Sequence, residues 1–165
     1  MEGVSGRSEL VEAVIQGDIA RVSGLIAGGI NVSQPDPFGW LPIHRAAAND
    51  RGEIIQLLLQ NGSPLKEPGT DQWTALHLAC VSGSARAVEV LVGAGAAVNS
   101  VARNGDTPLH LTVTSENRDA AETLLRAGAD PTIKDDRGKT PADLARDRGL
   151  TDLARVLQGI DGVAG

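Results

Sequence analysis

Pairs of large apolar residues recur along this chain at a fixed interval of 33 residues. The pairs are Leu25-Ile26, Leu58-Leu59, Leu91-Val92 and Leu124-Leu125. Each lies in a mixed apolar and polar stretch that a glycine closes at the same interval: Gly29, Gly62, Gly95 and Gly128. A glycine directly after such a stretch is typical of a helix that ends in a residue with positive φ. The pattern therefore predicts one repeated helical unit instead of a single wide core.

A second motif recurs at the same interval and marks where each unit begins. Its copies are Leu41-Pro42-Ile43-His44, Thr74-Ala75-Leu76-His77, Thr107-Pro108-Leu109-His110 and the altered Thr140-Pro141-Ala142-Asp143. Threonine caps a helix, and proline at the first helical position loses no needed donor. The motif predicts a short helix, over Ile43–Asn49 in one copy, followed by a turn and a second helix over Glu53–Gln60. A turn such as Asp36-Pro37-Phe38-Gly39 then leads into the next unit.

The motif and its period resemble the ankyrin repeat over roughly residues 8–158. The resemblance implies an all-α solenoid of stacked helix-turn-helix units with projecting hairpin loops. We expect a single domain over residues 1–158 and a flexible tail over 159–165. Its five units, the outer two acting as caps, are 5–35, 36–68, 69–101, 102–134 and 135–158.

Some positions depart from the repeat pattern. Leu41 stands where the motif has threonine, so that unit lacks the capping hydroxyl. Asp50 and Glu116 occupy a turn position at which other units carry glycine, and Gln72 does the same in a second glycine position. If the backbone there has positive φ, a glutamate costs of order 1 kcal/mol.

Composition narrows the function classes. The chain carries a formal charge of −6, and neither half is basic, so it lacks the positive surface that nucleic-acid binding needs. Cys80 is the single cysteine, which excludes an internal disulfide and fits a reducing compartment. The first residues have no apolar signal core, and no apolar run is long enough to span a bilayer. We therefore expect an intracellular protein, cytoplasmic or nuclear, without membrane insertion.

The residues that invite a catalytic or metal interpretation fit a structural one better. Equivalent histidines on stacked units lie about 10 Å apart, too far to share a zinc ion. We expect them to bond to backbone near the hairpins. Cys80 falls on a buried helix face, where cysteine is usually inert. The sequence thus predicts no enzyme, no cofactor and no metal site.

The three aromatic residues, Phe38, Trp40 and Trp73, all lie in hairpin segments, and the two tryptophans share one repeat position. Aromatic side chains contribute strongly at protein interfaces. They form either an exposed ridge or packing between neighbouring hairpins. The repeat positions of this face predict the following partner-binding residues: Phe38, Trp40, Asn49, Asp71, Trp73, Ser82, Arg103, Asn104, Asp106, Ser115, Arg137, Lys139 and Arg148. A partner would place an apolar segment on the tryptophans and acidic groups near Arg103, Arg137 and Lys139.

The resemblance implies the function. Ankyrin-repeat proteins mostly bind other proteins on a concave face made of hairpin tips and first helices, and they share no catalytic centre. We expect an adaptor, scaffold or inhibitor that is monomeric when alone and binds another protein, not nucleic acid. The alternatives are a self-associating structural module and a small ankyrin-type kinase inhibitor. Asn99 is similar to the hairpin asparagine that a cellular hydroxylase modifies in some ankyrin repeats, although Ala97 replaces the usual aspartate two residues earlier.

Overall fold

Ten short α-helices make up residues 9–159, the part of the chain that the computed structural model describes. These residues contain no strand. In chain order the helices are α1 (Glu9–Gln16), α2 (Ile19–Ala27), α3 (Pro42–Ala48), α4 (Gly52–Gln60), α5 (Ala75–Val81), α6 (Ala85–Gly93), α7 (Pro108–Thr114), α8 (Arg118–Arg126), α9 (Pro141–Asp147) and α10 (Thr151–Leu157). A 3-10 turn at Thr70–Gln72 lies between α4 and α5.

The helices form two parallel rows. The odd-numbered helices α1, α3, α5, α7 and α9 pack side by side in one row, and the even-numbered helices form the other. Each odd helix also packs on the even helix that follows it. This arrangement confirms the predicted all-α solenoid. Residues 1–8, at the start of the first predicted unit, and residues 160–165 of the predicted tail lie outside the described part.

Local signals set where the helices begin. Pro42, Pro108 and Pro141 open α3, α7 and α9, since the first helical residue needs no amide donor. The predicted helices over Ile43–Asn49 and Glu53–Gln60 each begin one residue earlier, at Pro42 and Gly52. Thr74 and Thr140 accept a hydrogen bond from the amide three residues on, as N-caps do.

The turn inside each unit requires a left-handed residue. Gly17, Gly83 and Gly149 have φ between 69° and 77° there, and Asp50 and Glu116 both have φ of 55°. The positive φ expected from the glycine positions is thus confirmed, including at the two acidic exceptions. Asp50 offsets its cost, because its carboxylate accepts a hydrogen bond of 2.8 Å from the Ala87 amide of the next unit.

Small residues hold the rows close together. Ala13, Ala46, Ala79 and Ala145 are fully buried at one repeat position on the odd helices. Thr112 takes that position in α7, where its hydroxyl donates to the Leu109 carbonyl at 2.7 Å. The polar atom is therefore satisfied inside the apolar row.

Side chains also connect the units along the turns between paired helices. Arg51 donates to the Ile15 carbonyl at 2.9 Å, and Asn117 donates to the Gly83 carbonyl at 3.1 Å. Each bond spans two neighbouring units, so stacking is held by polar contacts as well as by the apolar core.

No helix among the described residues is long and apolar enough to cross a membrane.

Candidate partner-binding face

Four loops between units, which we call the tip loops, project side by side along the stack. They cover residues 36–40, 69–73, 102–106 and 135–139. In each one the first amide donates to the carbonyl of the fifth residue at 2.8–2.9 Å. The second loop needs two successive left-handed residues, Asp71 at φ 56° and Gln72 at φ 64°.

Neighbouring tip loops are bonded to one another. The Thr70 hydroxyl donates to the Phe38 carbonyl at 2.7 Å, and the Arg103 amide donates to the Asp71 carbonyl at 3.0 Å. The Asp136 amide donates to the Asn104 carbonyl at 3.3 Å. Side chains from the tip loops and from the odd-numbered helices thus share one connected surface, which we call the recognition face.

Phe38 is the most open aromatic residue on the recognition face. It is 61% exposed, which is unusual for a large apolar side chain in a chain with only three aromatics. The Arg45 guanidinium lies 5.8 Å from the ring centroid and also bonds to the Asp36 carboxylate. Arg45 therefore supports the ring from one side and leaves the other to solvent.

The two tryptophans combine packing with partial exposure. Both are half-buried. Trp40 packs edge-on against His44, with centroids 5.5 Å apart at 77°. The ring also lies over Gly69 of the next loop, where an added Cβ would come within 2.5 Å of it. Trp73 lies 6.1 Å from His77 and is tilted at 38°. Each ring therefore stiffens the stack and still presents area to a partner.

The three cations expected to attract acidic groups are each paired within the chain. Arg103 bonds to Asp71 at 3.1 Å, Arg137 to Asp135 at 2.6 Å and Lys139 to Asp147 at 3.3 Å. These pairs leave little uncompensated positive charge on the recognition face.

Asp135 is the buried member of these pairs. Burial raises its pKa, but hydrogen bonds from the Lys139 and Arg137 amides and from the Arg137 guanidinium outweigh that effect. Its pKa therefore lies below the usual value, and the carboxylate stays charged.

The other predicted residues divide between solvent and structure. Asn49, Ser82 and Asn104 are exposed. Ser115 donates to the Cys80 carbonyl at 2.6 Å, and Arg148 donates to the Val113 carbonyl at 3.3 Å, so both connect neighbouring units.

Asp106 departs from the expectation of an open partner-binding residue. It is only 8% exposed, and one carboxylate oxygen accepts from the Asn104 side-chain amide. Its position in the repeat puts it level with the tryptophans, but the fold turns the carboxylate inward.

Arg45 belongs to the recognition face although sequence reasoning omitted it. Its repeat position holds leucine in the following units, at Leu78, Leu111 and Leu144. A cation in a leucine position was the signal available in the sequence, because the charge needs a partner that an apolar groove does not supply.

A family model described as ankyrin repeats, in three copies, matches residues 10–102 and 51–135. The chain belongs to the ankyrin-repeat family. Among curated proteins, the mouse 2-5A-dependent ribonuclease is 38% identical over 61 residues, which are 36% of this chain and 8% of the enzyme. The human 2-5A-dependent ribonuclease is 40% identical over 55 residues, which are 33% of this chain and 7% of the enzyme. The matched segments span less than a tenth of either ribonuclease.

The histidines of the ankyrin units are structural, as the sequence predicted. Each Nδ1 accepts from the backbone amide three residues earlier, and each Nε2 faces a carbonyl of the next tip segment at 3.0–3.2 Å. Because a carbonyl only accepts, Nε2 must carry the proton in all three. Burial lowers the pKa of His44 to about 4 and also lowers the pKa of His77.

Asp143 takes the histidine position in the last unit. It accepts from the Thr140 amide at 3.0 Å, as the histidines do, but has no second donor. The described chain has no further tip loop after this unit, so no second bond is required.

One buried group of potential metal ligands joins two tip loops. Single ligand atoms from Asp106, His110 and Asp135 lie within 4.8 Å of one another. Both His110 nitrogens are already used, and Asp135 accepts from Arg137 and two amides. A metal would have to break these bonds, so the donor set does not fit one.

Cys80 and Asn99 complete the candidate positions. Burial raises the pKa of the Cys80 thiol, which keeps it protonated and unreactive. Asn99 is exposed, its side-chain oxygen accepts from the Asp130 amide at 2.8 Å and its amide donates to the Gly128 carbonyl at 3.4 Å. Hydroxylation of Asn99 stays a prediction.

Proposed function

We propose that this chain is a non-catalytic module that binds another protein on its recognition face. Ankyrin repeats generally mediate protein–protein interaction, and the fold is generally non-catalytic. One observation carries the proposal: all three aromatic side chains lie on two adjacent tip loops and remain partly exposed. A rigid stack presents such anchors without an ordering cost, which favours affinity.

The predicted partner-binding residues then differ in role. Phe38 and Trp73 serve as apolar anchors, and the exposed polar residues Asn49, Ser82 and Asn104 form the surrounding rim. Ser115 and Arg148 act indirectly by fixing the spacing of the units. Lys139 and Arg137 tune the surface charge of the last tip loop.

Two variants test the anchors with little risk to folding. The partner is first identified by pull-down with mass spectrometry, then purified and titrated against the wild type, Phe38→Ala and Trp73→Ala. We expect each substitution to weaken binding by about tenfold or more, as interface anchors do. Trp40→Ala is a poorer probe, because it also removes the contact over Gly69.

Ile19→Ala is the matched control. Ile19 is 42% exposed in α2, on the opposite row from the recognition face. Partner affinity should not change in this variant. Equal losses in all three variants would place the interface elsewhere or indicate a general loss of stability.

We propose that the chain is monomeric when alone. The same aromatic surface could instead join two copies, and sedimentation equilibrium over a wide concentration range separates the cases. A dimer abolished by Phe38→Ala but not by Ile19→Ala would replace the partner proposal with self-association. A protein kinase recovered in the pull-down would specify the inhibitor alternative.

A further inference from the structure

A cavity of about 310 Å³ lies between the second and third tip loops. Asp71, Trp73, Arg103 and Asn104 line it. The half-buried indole forms an aromatic wall, and the other three side chains are exposed polar groups. The inference below concerns what occupies this cavity and rests on the proposed function.

The ion pair in this cavity is easily exchanged. Arg103 and Asp71 meet at 3.1 Å, but their side chains are 76% and 56% exposed. Pairs in such contact with water contribute little to stability. A charged group from a partner can therefore replace either member at small cost, and the surrounding charge decides which one is replaced.

Carboxylates outnumber cations around the cavity. The Asp106 Oδ1 atom is buried and has no hydrogen-bond partner among the described residues. Asp136 is exposed, makes no ion pair within residues 9–159, and its amide bonds to the Asn104 carbonyl. Arg137, the nearest other cation, is held by Asp135. These tip positions, four aspartates and two arginines, carry a net charge of −2.

We propose that this cavity binds a basic side chain of the partner, preferentially arginine, stacked on the Trp73 indole and paired with the Asp71 carboxylate. The negative surroundings favour a cation, and an indole face attracts one further. A guanidinium suits the site better than an ammonium, since its plane lies flat on a ring while its edge meets a carboxylate. Arg103 then returns to water.

The test uses the isotope-labelled full chain and small probes in place of the partner. The chain has two tryptophans, so its spectrum contains two indole N–H signals, which Trp40→Phe assigns. N-acetyl-arginine amide should shift the Trp73 signal saturably, N-acetyl-lysine amide should shift it less, and N-acetyl-glutamate should not bind. The Trp40 signal reports whether an effect is local.

Substitutions then separate a cation site from an anion site. Asp71→Asn should weaken arginine-amide binding about threefold or more, whereas Arg103→Gln should strengthen it by a similar factor because the internal competitor is gone. Asp147→Asn, which removes a carboxylate paired with Lys139 instead, is the matched control and should change nothing.

Two outcomes would overturn the inference. One is a saturable shift with N-acetyl-glutamate that Arg103→Gln abolishes, which would make the cavity an anion site. The other is a non-saturating response to arginine amide, equal in wild type and Asp71→Asn. Neither outcome touches the proposed function, which depends on partner affinity in Phe38→Ala. A chain that binds its partner through Phe38 yet fails here would keep that function with different partner chemistry.

Discussion

Gly69 shows how one missing side chain organises the recognition face. A Cβ at this position would lie 2.5 Å from Trp40 Cε3 and 2.7 Å from Cζ3. Gly69→Ala should therefore destabilise the fold by about 1–3 kcal/mol, the usual cost of overpacking, or rotate the indole. Chemical denaturation measures the first effect, and the shift of the Trp40 indole signal measures the second.

Gly24→Ala is the matched control for that substitution. Gly24 lies inside α2 with no atom within 4 Å of its added Cβ. Alanine there should stabilise the chain by about 0.5–1 kcal/mol, because it lowers the entropy of the unfolded state and favours the helix. If Gly69→Ala were as stabilising as Gly24→Ala, the Trp40 packing described above would not exist in solution.

Glu116 and Asp50 allow backbone strain to be separated from hydrogen bonding. Both have φ of 55°, but only Asp50 bonds to the next unit, through the Ala87 amide. Glu116→Gly should stabilise by about 1 kcal/mol, since glycine tolerates the left-handed region. Asp50→Gly should gain less or lose stability, because it leaves that amide unpaired. Urea midpoints of the two variants, shifting by the same amount in the same direction, would argue against this account.

At the scale of the elements, Asn117 joins helix capping to unit stacking. Its side-chain oxygen accepts from the Ala120 amide at 3.0 Å, and its amide donates to the Gly83 carbonyl of the preceding unit. Asn117→Ala should cost about 1–2 kcal/mol by removing both bonds. Asn117→Asp keeps the cap and loses only the bond to Gly83, so its denaturation midpoint should fall between wild type and Asn117→Ala. Equal losses in both variants would mean that the bond to Gly83 carries the whole effect.

The elements also show what the sequence could predict. Bonds inside one unit follow from the repeat, so the helix pairs, the left-handed turns and the histidine bonds were predictable from Gly17, Pro42 and His44. Contacts between different tip loops depend on how far neighbouring units are separated and rotated, which no single repeat position encodes. The Trp40 packing over Gly69 and the inward turn of Asp106 belong to this second class.

For the whole molecule, the histidines connect each inner unit to the next. Their Nε2 atoms donate to the carbonyls of Glu67, Asp106 and Lys139, so the three bonds run in sequence from the second unit to the last. In a repeat array each unit touches only its neighbours, and stability depends on such interfaces. A condition that charges the histidines therefore acts on several interfaces at once.

Mild acid should weaken the stack for this reason. Burial first, and the nearby Arg45 charge second, hold the pKa of His44 at about 4, against the bonds that favour the charged form. The unfolded chain takes up this proton near pH 6.5 and the folded chain does not, so stability falls as pH falls through this window. Between pH 6.5 and 5 the loss from His44 alone is about 1.5 kcal/mol. The depressed pKa values of Asp36 and Asp135 act at lower pH, because these groups titrate near 3.8 when unfolded. Urea unfolding across this range should show that His44→Gln is less stable at pH 7 but loses less on acidification than wild type. Parallel curves for the two proteins would show that this histidine is not what makes the stack sensitive to acid.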